Sequence, residues 1–298
     1  MSDRFGPQDR TWFAAGLHDR LHEHLGAHPH PDGGYRFAVW APRAKAVRVI
    51  GEVAPKGRFL RRSADGIWRG RVPDAEAGQA YRFLVTTSLG KVVAKADPYA
   101  VRRVAPEVPD SVLWDLDFDW HDGRWMRSRK RVQDLSAPIS VYEVHLGSWR
   151  RGRDGGFLDY REAGARLAVY CREMGFTHVQ LLPVAEHPFY GSWGYKGAGF
   201  FAATARYGTP QDLMALVDTL HRAGVGVIFD WVPSHFATDS WGLGRFDGYA
   251  LYEHRDRRRG FHPDWSSWVF DYERPEVRSF LLSNARYWLE YFHADGLR

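Results

Sequence analysis

From Ile139 to its end the chain repeats one pattern, a β-branched or aromatic apolar stretch followed by an amphipathic helix, and this repetition restricts the fold more than any other feature. Ile139–Leu146 reads as a strand. Tyr160–Met174 follows as a helix, with Ala163, Leu167, Tyr170 and Met174 on one face and Gly175 as its stop. His178–Leu182 is a second strand, and the next helix starts with Thr209 as N-cap and Pro210 at the first helical position. Its apolar face is Leu213, Leu216, Val217 and Leu220, and Gly224 stops it. Val225–Asp230 is the third strand, Pro275–Phe292 a third helix striped by Leu281, Ala285, Trp288 and Phe292, and Asp295–Arg298 opens a fourth strand. Such alternation demands a parallel sheet, either doubly wound or a (β/α)₈ TIM barrel. No Gly-rich phosphate loop follows the first strand, which favours the barrel.

The chain before residue 100 is built differently. Tyr35, Phe37 and Val39 alternate with polar or small neighbours, and Ala46–Ile50, Gly66–Val72, Ala80–Thr86 and Lys91–Lys95 repeat the pattern. Asp32-Gly33-Gly34, Asp65-Gly66 and Leu89-Gly90 supply turns between them. Short strands with no helical pattern between them argue for a small antiparallel β-sandwich. Ahead of it, the four-residue spacing of Leu17, Leu21 and Leu25 predicts a short helix. Between the two regions, Asp97–Pro138 is rich in Pro and carries Trp114, Phe118, Trp120 and Trp125, a linker packed by its own aromatics or a sugar-contacting segment. The division read from these patterns is a helical lead-in over 1–30, a β-sandwich over 31–105, a linker over 106–138 and a partial barrel, strands one to four, over 139–298.

Charge and cysteine content narrow the function classes. A net charge of +5 is spread in pairs such as Arg61-Arg62 and Arg102-Arg103, and the densest run, Arg255–Arg259, reads as a solvated loop, so nucleic acid is not an expected partner. The single cysteine, Cys171, excludes an intramolecular disulfide and a sulfur metal cluster. The N-terminal Met1-Ser2-Asp3-Arg4-Phe5 is polar and no stretch of about 18 apolar residues occurs, which predicts a cytoplasmic protein with no membrane segment. Aromatic residues reach 15%, a fraction that suits sugar-ring stacking as well as core filling.

In barrels the chemistry lies at the C-terminal ends of the strands. After strand two comes the long aromatic, Gly-punctuated loop from Pro183 to Tyr195, suited to lining a pocket. Strand three ends in Asp230-Trp231-Val232-Pro233-Ser234-His235, and strand four brings Arg298 to the same rim. Taken singly, Asp230 reads equally as a turn cap, His235 as a satisfied loop histidine and Arg298 as a surface charge. Their joint position at consecutive strand ends points to a site.

The segments VYEVHLGSW, LLPVAEHPFYGSWGY, RYGTPQDL, GVIFDWVPSHF, LYEH, HPDW and FLLSNARYWLEYFHADGLR, in this order, resemble the α-amylase clan, and within it glycogen branching enzymes. Arg36–Pro42 resembles the immunoglobulin-like carbohydrate-binding module, a β-sandwich, that precedes the barrel in that family. The resemblance implies a retaining double displacement in which an α-1,4-glucan is cleaved and passed to a 6-hydroxyl, with α-1,4-glucan or glycogen as substrate and no cofactor. It implies that Tyr195 stacks on the sugar at the cleavage subsite, that His235 contacts the hydroxymethyl group, that Asp230 organises its neighbours, and that Arg298 holds the nucleophilic carboxylate ionised. That nucleophile is expected two residues after Arg298, and the acid/base glutamate later still, so none of the catalytic carboxylates is expected among residues 1–298 and the chain alone is expected to be inactive. Glu186 is the nearest substitute and a poor one.

Two features depart from the branching-enzyme pattern: Glu52–Gly57 replaces an aromatic-bearing turn after the second sandwich strand, and Lys196 follows Tyr195 where the family typically has Gln. Ser234 stands where calcium-binding amylases carry Asn, so no metal is expected, as the resemblance to branching enzymes also implies. A debranching enzyme or trehalose-releasing hydrolase shares the layout but reads Val-Val-x-Asn-His where this chain has Trp231–His235. A non-catalytic glucan-binding remnant is the other reading. Strands one and four of a half-barrel have open edges, which leaves room for a second chain that completes it.

Overall fold

The computed structural model describes residues 5–298, so the polar Met1–Arg4 segment lies outside the described residues. The chain opens with α1 (Pro7–Ala15), started by Pro7 at its first position and ended by Gly16 in the left-handed region. Nine strands follow: β1 (Gly26–Pro29), β2 (Tyr35–Trp40), β3 (Ala46–Gly51), β4 (Ala54–Phe59), β5 (Arg61–Arg62), β6 (Ile67–Val72), β7 (Ala80–Thr86), β8 (Val92–Lys95) and β9 (Ser111–Val112). Then come α2 (Gly123–Val132), β10 (Val141–Val144), α3 (Leu146–Trp149), α4 (Tyr160–Met174) and β11 (His178–Leu181). Beyond them lie β12 (Ala185–Glu186), β13 (Gly199–Ala203), α5 (Pro210–Arg222), β14 (Gly226–Phe229) and β15 (His235–Ala237). The last elements are α6 (Arg257–Gly260), β16 (Phe261–His262), β17 (Ser267–Val269), α7 (Pro275–Tyr291) and β18 (Gly296–Leu297).

The chain divides into two compact units, the first made of residues 1–115, 185–202 and 232–287 and the second of 116–184, 203–231 and 288–298. In the first, antiparallel sheets ordered β1-β2-β6-β5 and β4-β3-β7-β8, with β9 beside β7, form the β-sandwich. Alternation explains why: Phe37, Val39, Val47, Val49, Phe83 and Val85 are all but inaccessible and meet between the sheets, while their neighbours along each strand face outward. A small antiparallel sheet, β15-β17-β16, belongs to the same unit. Lys95, fully buried, donates to the carbonyls of Ser240, Gly242 and Gly244 and so ties the end of β8 to the loop that follows β15.

Of the helix predicted over Leu17–Leu25 only one 3₁₀ turn forms, at Leu21–Glu23. Gly16 ends α1, and the backbone N–H groups of His18 and Leu21 donate to the Ser279 and Ser283 hydroxyls of α7 rather than to carbonyls of a preceding helical turn. Leu21 and Leu25 are buried as predicted, by a path that leaves Leu17 exposed. The segment read as a turn, Glu52–Gly57, turns only at its start and becomes β4 from Ala54. Its Pro55 is tolerated because β4 is the sheet edge, where a missing N–H breaks no ladder. The linker also holds a helix, α2, that Pro and aromatic content concealed.

The second unit is a parallel sheet in the order β10-β11-β14-β18. Its strands stand in chain order, as successive strands of a parallel barrel do. Val179, Leu181, Val227 and Phe229 on its central strands are buried, and α4 and α5 pack together. α4 spans the predicted residues, with Asp159 capping Glu162 N–H at one end and Gly175 left-handed at the other. α5 has the predicted capping box between Thr209 and Asp212. Cys171, on the buried face of α4, is a free thiol that burial pushes up to about 11. The two helices touch at Gly164, where an added Cβ would stand 2.9 Å from Leu216 Cα. Gly164→Leu therefore forces α4 and α5 apart and should cost about 1–3 kcal/mol in urea unfolding of this unit; an unchanged midpoint would show that the helices accommodate bulk there.

Candidate active site

Each of the four predicted residues has a definite place. Tyr195 and His235 belong to the first unit, Asp230 and Arg298 to the second. Tyr195 follows two left-handed residues, Trp193 (φ 55°) and Gly194 (φ 93°), and its N–H donates to Ser192 O, so a tight coil presents the phenol half-exposed. Its carbonyl accepts a hydrogen bond from the His235 ring. Ser234 Oγ lies 2.8 Å from His235 Nδ1, which fixes the imidazole from its other side.

Why His235 sits there is a matter of strand pairing that the sequence concealed. It begins β15, paired with Val269 of β17, and so the stretch after Pro233 is sheet rather than loop. The ring of Trp265 packs on His235 with centroids 5.3 Å apart and on His262 at 4.7 Å, while Trp265 stays 55% exposed. An exposed tryptophan face is thus held beside an oriented imidazole. The sequence reading did not single out Trp265, although its segment HPDW was legible; nothing in the spacing alone set it beside His235.

In the second unit, Asp230 stands at the C-terminal end of β14. Its N–H donates to Leu181 O, and Arg298 N–H donates to Phe229 O, so the strand ladders bring the two residues together. Arg298 Nη1 donates to Asp230 Oδ2 at 2.9 Å; the carboxylate is buried and the guanidinium more than half exposed. An anchored arginine with an open face is suited to a carboxylate or another anion. His145, at the same end of β10, is half-buried, its Nδ1 2.9 Å from Ser148 Oγ, and burial followed by the Arg151 charge lowers its pKa.

Glu186 is fully buried in β12, where its charge supports that of Arg103. Burial draws the Arg103 pKa down to about 10, with Glu186 the largest opposing influence. This is an internal carboxylate with a structural partner, not an accessible acid. Among the described residues, two clusters have the composition of metal sites, Asp9/His18/His24 and His254/Asp271/Glu273. In the first, His18 Nδ1 accepts the Arg20 N–H, so the ring carries its proton on Nε2, which faces Asp9 Oδ1 at 3.3 Å, and neither nitrogen of His18 is left for a metal. In the second, His254 Nδ1 lies 3.0 Å from the Asp256 nitrogen and 3.3 Å from its carbonyl oxygen.

Residues 24–100 match the family model of carbohydrate-binding module 48 (isoamylase N-terminal domain), and residues 164–248 match that of the alpha amylase catalytic domain. A putative alpha amylase of Salmonella typhimurium superposes over 92% of this chain and 43% of its own with a TM-score of 0.73 at 26% identity. The catalytic module of pneumococcal SpuA superposes over 92% of this chain and 46% of its own with a TM-score of 0.75, at 19% identity, a likeness of fold alone. The fold and its strand-end residues thus define a protein of the α-amylase clan with a carbohydrate-binding module 48 ahead of its barrel. Among curated relatives, the 1,4-alpha-glucan branching enzyme GlgB of Albidiferax ferrireducens is 53% identical over 96% of this chain and 47% of its own length, and that of Aquifex aeolicus 51% identical over the same shares. The chain belongs to this GlgB family and spans about half the length of those relatives.

Burial lowers the pKa of His235 first, with His262 and Lys196 adding to the effect and the bond to Tyr195 opposing it. The folded value therefore lies below the ordinary 6.5, and the unfolded chain takes up the proton first. Stability from this site is complete above the unfolded value of 6.5 and is lost as pH falls from there through the folded value. In an NMR titration the His235 ring should show a midpoint below 6.5; one at or above it would mean the ring is solvated or paired with a carboxylate.

Proposed function

We propose that this chain is part of a 1,4-α-glucan branching enzyme, supplying the side of the site that grips substrate. The observation that carries this reading is the identity of about half of all positions to GlgB branching enzymes along nearly the entire chain. In this reading Tyr195 stacks on the sugar of an α-1,4-glucan at the cleavage point, and Trp265 of the same unit offers a second face. His235, neutral at pH 7 and held by Ser234 and Tyr195, contacts the hydroxymethyl hydroxyl. Asp230 fixes Arg298, whose exposed guanidinium lowers the pKa of a nucleophilic carboxylate so that it stays ionised for attack. Transfer of the glucosyl chain to a 6-hydroxyl completes a retaining double displacement.

The lead-in, β-sandwich, linker and barrel segments are assigned to 1–30, 31–105, 106–138 and 139–298, in keeping with the matched residues 24–100 and 164–248. The cytoplasm is the compartment we assign, supported by the single unpaired cysteine, Cys171. No helix among the described residues is long and apolar enough to cross a membrane.

With the protein at the full length of its relatives, incubation with amylose should produce new α-1,6 linkages. Release of reducing ends without such linkages would replace branching with hydrolysis. Tyr195→Ala should lower kcat/KM by about 10- to 100-fold through lost stacking and burial of the ring.

We also infer a second polypeptide segment covering the edge of the parallel sheet at β10. This strand is outermost, and Val141 on it and Ile139 just before it are exposed. The 298-residue chain alone should sediment as dimers or larger species, and a monodisperse monomer at micromolar concentration would refute this.

A further inference from the structure

The helix α2, with the sequence GRWMRSRKRV, carries five cations and no acid. At 3.6 residues per turn Arg124, Ser128 and Arg131 share one face, and Lys130 falls on the opposite one. The first face opens into a pocket of about 730 Å³, walled on its other sides by Arg172 in the last turn of α4 and by residues 221–224 at the end of α5. All of these residues belong to the second unit. Because α4 and α5 end just before β11 and β14 begin, the pocket lies at the N-terminal end of the parallel sheet, away from the strand ends that bear Asp230 and Arg298.

Three of its arginines, Arg124, Arg131 and Arg172, are exposed, and among the described residues none of their guanidiniums has a hydrogen bond or an ion pair. Arg222 is different, since the nearly buried Asp218 stands 3.7 Å from it, and it contributes no free charge. Asp122, in the pocket wall, is already spent on the rings of His221 and His293. The carbonyl ends of α4 and α5 offset only part of the remaining charge, about half an elementary charge per helix end. Arg124 and Arg131 are placed about 10 Å apart along α2, at 1.5 Å per residue, and Arg172 comes from a different helix. Charges so spaced suit a ligand with two separated anionic groups better than a single anion. Val132, 42% exposed, adds an apolar surface for the carbon frame of such a ligand.

We propose that this pocket binds a small organic molecule bearing two phosphate groups. Each guanidinium offers a fork of N–H donors that matches phosphate oxygens, and the volume is that of a small-molecule site. The phosphates can stand on a sugar or on a nucleoside; the chemistry of recognition is the same. Trp125 and His221 line the pocket and also hold Asp295, so an occupant packs against the groups that fix the register of the sheet, and binding should stabilise the second unit. Such binding is measured without any branching activity and stands apart from the glucan site.

Titration calorimetry at fixed ionic strength tests this on the protein at the full length of its relatives, with inorganic phosphate, pyrophosphate, a hexose bisphosphate and adenosine diphosphate as probes. Saturable binding of at least one of the last three is expected, about 10-fold or more tighter than that of inorganic phosphate. A sugar ligand is indicated when the hexose bisphosphate binds tightest, a nucleotide when adenosine diphosphate does. Arg124→Gln and Arg131→Gln should each weaken binding about 10-fold, whereas Lys130→Gln, which removes the same charge from the opposite face of α2, should leave it unchanged. All three side chains are exposed, and circular dichroism of the variants establishes that they are folded. The proposal is overturned by an absence of saturable binding to the folded protein, or by a loss on Lys130→Gln equal to that on Arg131→Gln. Binding of duplex DNA that none of the diphosphates displaces would overturn it as well.

Discussion

The parallel sheet depends on one buried carboxylate. Asp295 accepts hydrogen bonds from the N–H of Val227 at the base of β14, from the Trp125 indole on α2 and from His221 on α5, while its own N–H donates to Val227 O. Burial alone would oppose its ionisation, yet His221, Trp125 and Val227 together bring its pKa below the ordinary carboxylate value. The far nitrogen of His221 meets Asp122, which also takes His293. Two helices, one strand and the turn before β18 thus share one polar network, with the Trp125 and Trp120 rings stacked on His221 and His293. Buried polar groups are tolerable only when satisfied, and here satisfaction is possible in one register of β18 against β14. That register delivers Arg298 to Asp230 at the opposite end of the strands.

The first unit uses buried cations where the second uses a carboxylate. Lys95, drawn down to about 8 chiefly by burial, and Arg103, drawn down to about 10, are both almost wholly inaccessible. Lys95 gathers three carbonyls of an irregular segment that has no ladder of its own, and Arg103 lies over the Trp241 ring. Loop backbone left unpaired inside a protein is expensive, and a buried ammonium with three donors is an economical way to satisfy it.

Much of this was legible in the sequence where local chemistry decides the outcome. α4 and α5 came out at the predicted residues because cap, apolar stripe and stop agree. The Leu17–Leu25 helix failed beyond one turn because leucine spacing cannot reveal that Ser279 and Ser283, more than 250 positions away, offer the backbone better partners. β4 was hidden by Pro55 and Gly57, and α2 by its flanking prolines and its ten-residue length. The site residues were readable at β14 and β18, where polar residues end apolar strands. Trp265 was not, since its place beside His235 depends on a three-stranded sheet whose pairings no short-range pattern specifies.

Cys171 has a use beyond packing. Its thiol is inaccessible in α4 and protonated far above neutral pH, so reagents that need a thiolate find nothing to attack while the helix stays docked. When reagent concentration is high enough for labelling to outpace reclosure, the rate at which it becomes labelled is the rate at which α4 lifts from the sheet, and with one cysteine in the sequence no other signal contaminates it. The chain carries its own clock for the opening of the parallel half of its fold.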